Sequence, residues 1–137
     1  EISLREGLER PKIIAVTILT SSDGNELREV GIEREVTDEV LNLAKLTAKC
    51  GLDGVVASAL EARRIKQAVG SDQFLIVTPA IRKTSETNDD QKRVMTPAEA
   101  VSNGSDYLVI GRPITGAADR KAAIESIIKE IESAELN

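Results

Sequence analysis

The sequence predicts an α/β chain of four parallel strands joined by crossover helices. That is the content of a small doubly wound sheet or of half an eight-stranded (β/α) barrel. Three observations carry the class. A short β-branched apolar run followed by a helical pattern occurs four times. The connections are short and carry no hairpin signal, so each strand returns parallel to the one before. The runs are apolar at successive rather than alternate positions, as in strands buried on both faces.

Each element has its own local reason. Residues 1–10, EISLREGLER, scatter Ile2, Leu4 and Leu8 among charges, which suits the last turns of an amphipathic helix. KIIAVTIL (12–19) is the first strand, and residues 26–31 form a short helix after TSSDGN. In TDEVLNLAKLTAKCG (37–51), Val40, Leu41, Ala44 and Ala48 share one helical face, with Thr37 as N-cap and Gly51 as stop. GVVASA (54–59) is the second strand, and residues 60–69 are a helix ending near Gly70. FLIVTPAI (74–81) is the third strand, followed by a long polar loop over 82–95. TPAE at 96–99 opens the next helix with a capping threonine, Pro97 at the first helical position and Glu99 as capping-box partner. Asn103-Gly104 ends that helix, and YLVIG (107–111) is the fourth strand. Residues 119–134 close the chain as a helix with Ala122, Ile124, Ile127, Ile128 and Ile131 on its buried side.

Composition narrows the function. With 137 residues, 41% apolar and 30% charged, the chain is one globular unit, residues 1–137, rather than a disordered one. A net charge of −5 argues against nucleic-acid and membrane-surface binding, which need a basic face. Phe74 and Tyr107 are the only aromatic residues, so base-stacking platforms are excluded. The absence of histidine removes His-based metal ligation and Ser-His or Cys-His catalysis, and Cys50 stands alone. No apolar stretch reaches the roughly 18 residues of a membrane span, and no signal peptide is visible, so a cytoplasmic protein is expected.

The strands end in polar or special residues: Thr20-Ser21, Ser58, Thr78-Pro79 and Gly111-Arg112. Ligand-bearing loops at all the C-terminal strand ends are the barrel pattern, and TSSDGN lacks the glycine fingerprint of a dinucleotide fold. Gly111-Arg112 suits an anion: glycine lets the backbone approach, and the guanidinium presents a planar fork of donors to phosphate oxygens. An arginine capping a helix or pairing with a carboxylate has the same local sequence. Loop 82–95 is long for a connector, with Arg82 at the strand exit and Gln91 as a ligand-contacting amide. Asp90 and Lys92 mimic a proton-transfer pair, but nothing nearby desolvates the lysine. Ser58 and Thr20 are weak signals taken singly, and Thr78 is expected to pack or bond locally.

The blocks AVTILTS, GLDGVVASALEA, VTPAIR, DQKRVMTPAEA and GSDYLVIGRPIT resemble, in order and spacing, the second half of bacterial orotidine 5'-phosphate decarboxylases. The resemblance spans essentially the whole chain. It implies strands 5 to 8 of a (β/α)8 barrel and the conversion of orotidine 5'-monophosphate (OMP) to uridine 5'-monophosphate (UMP), the last step of pyrimidine nucleotide synthesis, without metal or organic cofactor. By the same resemblance Thr20 sits beside the pyrimidine and Pro79 lines the base pocket. Arg82 and Gln91 belong to the phosphate-closing loop, and Gly111 with Arg112 form the phosphate cradle.

The departures limit what is implied. The family's Asp–Lys–Asp–Lys array, with its D-x-K-x-x-D motif on strands 2 and 3, has no counterpart, so no catalytic residue is assigned to this chain. At Asp90–Lys92 the third carboxylate position is Met95. Ala80 stands where the family usually has glycine, Lys83 where proline is common, and Ala57 where cysteine is frequent. Four strands cannot close a ring, so association with a second copy or with an N-terminal half-barrel is expected. The substrate-binding half of the decarboxylase, inactive alone, is then the first functional reading. A non-catalytic self-assembling scaffold, natural or engineered, that at most binds phosphate is the second. A sugar-phosphate relative such as a hexulose-phosphate synthase is a third, against which the PAIR and DQKR spacing argues.

Overall fold

A computed structural model describes residues 2–82 and 95–135. Gln91, Lys83, Asp90 and Lys92 lie outside the described residues. Four parallel strands form one sheet in chain order: β1 (Ile14–Val16), β2 (Gly54–Val56), β3 (Leu75–Thr78) and β4 (Tyr107–Leu108). Sequential order, each strand beside its predecessor, is how a barrel wall is built; a doubly wound sheet reverses at a switch point. The register sets Ala15 beside Val55, Val55 beside Ile76, and Val77 beside Tyr107.

Helices cover one face of this sheet. The helix α1 (Ile2–Arg5) precedes β1, while α2 (Gly24–Glu29) and α3 (Val36–Lys49) follow it. Then come α4 (Ala62–Val69) after β2, α5 (Pro97–Ser102) after β3, and α6 (Arg112–Thr115) with α7 (Arg120–Glu135) after β4. Val40 and Ala44 of α3 and Ile65 of α4 close on Val55 and Ile76 to form the main core, with Phe74 beneath. A smaller cluster of Ala59, Ile81 and Ala100 packs with Met95, Leu108 and Ile110. Among the described residues no helix is long and apolar enough to cross a membrane.

Two aspartates tie the N-terminal end of the sheet. Asp53 accepts the Ile13 amide at 2.7 Å and pairs with Arg10 at 2.5 Å. Asp106 accepts the Ile76 amide at 2.8 Å and pairs with Lys66 at 2.8 Å. Each carboxylate thus holds the start of its own strand to a backbone N–H of the strand before. Between them, Gly54 has no room for a side chain: a Cβ there would stand 2.2 Å from the Leu75 carbonyl oxygen.

Several local expectations are corrected. The strands are shorter than the apolar runs, because the ladder stops where the chain splays into the loops at the C-terminal end. Thr37 is not an N-cap; Glu35 holds that position without a side-chain hydrogen bond, and Thr37 lies inside the first turn. An Arg34–Glu39 ion pair at 2.8 Å and the packing of Val36 against the core draw the helix start forward. The capping box at Thr96 and Glu99 is present as expected. The buried stripe of α7 is Ala123 and Ile127, packed towards α5, whereas Ala122, Ile124 and Ile128 are exposed. The helix α6 was not expected; Pro113 sits in its first turn, where no intrahelical N–H is needed.

Candidate functional site

The C-terminal strand ends converge on a cleft of about 390 Å³. Its floor is apolar, from Val16, Ile18, Val56, Ala57 and Val109. Its rim is polar: Thr20 and Ser21 after β1, Pro79, Ala80 and Arg82 after β3, and Gly111 and Arg112 after β4. Three separate strand ends deliver these groups to one place, because all four strands point the same way.

Thr20 is buried at the end of the first strand segment. Arg82 is buried too, and its Nη1 donates to the Ile81 carbonyl at 3.2 Å. A parallel bridge between Ile81 and Met95, with the Arg82 amide donating to the Met95 carbonyl at 3.2 Å, fixes the backbone on which Arg82 stands. Gly111 caps α6; its carbonyl accepts the amides of Ile114 and Thr115, both at 2.9 Å, so the chain turns sharply and Arg112 opens the new helix at the rim. A Cβ at Gly111 would meet nothing within 4 Å, which leaves open space on the cleft side.

Ala80 is the one non-glycine residue with positive φ, +62°, among the described residues. The left-handed conformation brings Cβ against the following carbonyl and costs about 1–2 kcal/mol for an L-residue. Strain held at the wall of a cleft marks a backbone path that the surroundings enforce.

The chemistry on offer is selective. Two guanidinium groups, two hydroxyls and a close-approach glycine stand over an apolar floor. That is the arrangement for an anionic head attached to a flat or apolar body. Among the described lining residues there is neither a carboxylate nor a lysine. Nor do three or more His, Cys, Asp or Glu side chains gather anywhere among the described residues so as to hold a metal. The carboxylates whose acidity shifts lie elsewhere. Asp53 is held below the usual carboxylate range by the Ile13 amide first and by Arg10 and Lys12 after it, and Glu39 likewise by its hydrogen bond from Arg34.

Comparison with known proteins agrees with this layout. The family model described as "Orotidine 5'-phosphate decarboxylase / HUMPS family" matches residues 3–127. The chain belongs to that family. It is 58% identical over 123 residues to the orotidine 5'-phosphate decarboxylase of Trichlorobacter lovleyi, covering 90% of this chain and 51% of that protein. The orotidine 5'-phosphate decarboxylase of Geobacter metallireducens is also 58% identical, over 126 residues and 52% of its length. The crystal structure of orotidine 5'-phosphate decarboxylase from Lactobacillus acidophilus superposes with a TM-score of 0.73 at 41% identity, over 91% of this chain and 51% of that one. The Pyrococcus horikoshii enzyme, at 19% identity and a TM-score of 0.62, shares the fold. The chain therefore spans about half the length of the relatives it matches, and its four parallel strands correspond to half of a (β/α)8 barrel.

Thr20, Pro79, Arg82, Gly111 and Arg112, singled out in the sequence, all line the one cleft, while Gln91 lies outside the described residues. Asp90 and Lys92 lie outside them as well. Thr78 is fully buried behind the cleft and shares a 2.7 Å hydrogen bond with Ser105. Ser58 accepts the Leu60 amide at 3.3 Å and does not line the cleft. Ser21 stood in the sequence only as part of a polar strand end, and sequence reasoning passed over the valine floor. The valines read only as strand core, yet alternation along each strand puts Val16, Val56 and Val109 on the uncovered face.

Proposed function

We propose that this chain supplies the phosphate- and pyrimidine-binding half of an orotidine 5'-phosphate decarboxylase and is inactive alone. The observation that carries the reading is the meeting of Arg82 and Arg112 with Thr20 in one apolar-floored cleft. Arg112, Gly111 and Arg82, with Gln91, hold the nucleotide phosphate; Thr20 and Pro79 face the pyrimidine. In the reaction the bond from C6 to the carboxylate breaks, carbon dioxide leaves, and the electron pair stays on C6. A lysine from the complementary half then protonates C6. Phosphate contacts far from C6 contribute binding energy that is realised at the reacting centre. The family's place in pyrimidine nucleotide synthesis fits a cytoplasmic setting.

The lack of a carboxylate or lysine among the described lining residues favours a second reading, a non-catalytic half-barrel scaffold that at most binds phosphate. Calorimetric titration with UMP, beside an assay for release of carbon dioxide from OMP, separates the two. The expected result is UMP binding without turnover. Arg112→Ala should weaken that binding by about 10- to 100-fold, the worth of a charge-assisted hydrogen bond. Turnover by the chain alone would refute its inactivity, and an unchanged affinity would take the phosphate role from Arg112.

A further inference from the structure

The in–out alternation of β3 changes phase at Ala80. Along the strand, Leu75 and Val77 stand on the uncovered face, while Ile76 and Thr78 are buried beneath the helices. Their neighbours agree: Ile76 lies beside Val55 of the main core, and Thr78 lies beside Leu108 of the smaller cluster. Carried on unbroken, this alternation gives Pro79 and Ile81 to the cleft side, and Ala80 and Arg82 to the helix side. From residue 80 onward the structure has the reverse. Pro79 and Ala80 both line the cleft, Ile81 is packed with Ala59 and with Ala100 of α5, and Arg82 returns to the cleft. Two successive residues on one side, one of them left-handed, are the marks of a bulge in a strand. Beyond it the chain rejoins the wall through the Ile81–Met95 bridge.

We propose that Ala80 is the positioning residue of the anion site. Its left-handed turn shifts the alternation by one residue, which puts the Arg82 guanidinium in the cleft and Ile81 in the core. The proposal rests on the reading of the cleft as a nucleotide-phosphate site. Both side chains depend on the shift. In a straight strand an isoleucine would face the ligand, and a guanidinium would be driven in among Ala59, Ala100 and Met95, where charge is costly to bury. With the shift, Arg82 is still only 8% exposed, and among the described residues it meets no carboxylate. A cation so placed at the wall of a cleft is matched to an anionic ligand.

The strain at Ala80 then has a cause. An L-residue is held at φ +62° because the burial of Ile81 and the placement of Arg82 both require it. Proline is a clean probe of the turn. Its ring fixes φ near −65°, and the Ala80 amide donates no hydrogen bond among the described residues, so nothing else is removed. Glycine is the matching control, since it adopts positive φ without strain.

The test is a set of variants read by calorimetric titration with UMP and by urea midpoint. Ala80→Gly should bind UMP at least about 10-fold more tightly than Ala80→Pro. Ala80→Pro should lose as much affinity as Arg82→Ala, with no further loss when the two are combined. Exchanging the two side chains, Ile81→Arg with Arg82→Ile, adds a readout that needs no ligand. In the parent chain the exchange should lower the urea midpoint, because it drives the arginine into the core. In the Ala80→Pro background it should raise the midpoint and restore UMP binding, because a straight strand presents residue 81 to the cleft. An exchange that lowers the midpoint in both backgrounds overturns the proposal, and so does parental UMP affinity in Ala80→Pro. Should Ala80→Pro alone fail to fold, the triple variant decides: it folds if the turn sets the phase, and an unfolded triple variant overturns the proposal. A parent chain that binds no UMP would sink the nucleotide reading, and the urea midpoints would then decide the role of the turn by themselves.

Discussion

The two ends of the sheet are built on opposite terms. At the N-terminal end, Asp53 and Asp106 are each met by a backbone N–H and a cation. Gly54 lets β2 and β3 approach until no methyl would fit. At the C-terminal end the lining charges are of one sign, Arg82 and Arg112, the backbone is strained at Ala80, and a Cβ at Gly111 would find only open space. One end pairs carboxylate with cation, and the other gathers two guanidinium groups at one cleft. Barrel folds divide labour in this way, with stability at the bottom of the wall and ligand chemistry at the top.

Substitutions matched across the two ends sharpen the contrast. The largest effect belongs to glycine. Gly54→Ala should cost about 3 kcal/mol, because the methyl collides with strand backbone rather than with a flexible side chain. Gly111→Ala should change stability by less than about 0.5 kcal/mol. Urea midpoints of the two variants decide it, and equal losses would erase the distinction between the ends.

The aspartates come next. Asp106→Ala leaves the amide of buried Ile76 without its acceptor and should cost about 1–2 kcal/mol. Asp53→Ala should cost less, since the Ile13 amide is exposed and can turn to water. Acid adds a sign to the test. Asp53 and Glu39 are more acidic in the folded chain than in the unfolded one, so their contribution is complete above the ordinary carboxylate range near pH ~4. It drains away as pH falls from that range through the lowered folded values. Thermal midpoints measured downward from pH 6 should fall less steeply for Asp53→Asn with Glu39→Gln than for the parent chain. A parallel decline would mean that these two groups do not carry the acid sensitivity.

The smallest effect runs the other way. Ala80→Gly releases the left-handed strain but restores freedom to the unfolded chain, for a net gain of about 0.5–1 kcal/mol. A loss of stability on this substitution would show that the alanine methyl packs usefully at the cleft wall.

Particular elements show where sequence reasoning reached and where it stopped. Thr96, Pro97 and Glu99 announced their helix start because a capping box is a contact among four consecutive residues. Thr37 misled because the start of α3 is set by Arg34, Glu39 and the packing of Val36, which the local propensity of threonine does not register. In α7 the periodicity marked a broad isoleucine stripe. Packing towards α5 then buried only the part headed by Ala123 and Ile127, since a short helix covers a narrow strip. The cleft was legible through Thr20, Pro79, Arg82, Gly111 and Arg112 because polar residues at strand ends interrupt an apolar pattern. Its valine floor was not, because an apolar residue in a strand looks the same whether it faces a helix layer or an open mouth.

What the sequence by itself determined is whatever depends on near neighbours along the chain. That covers the four strand–helix repeats, their parallel direction, the strand-end residues and the family resemblance. Only the tertiary structure decided the rest. It set the sequential strand order, the collision space at Gly54, the forced φ of Ala80, and which face of an evenly apolar sheet goes uncovered. These are long-range properties: they arise when residues distant in sequence compete for the same volume.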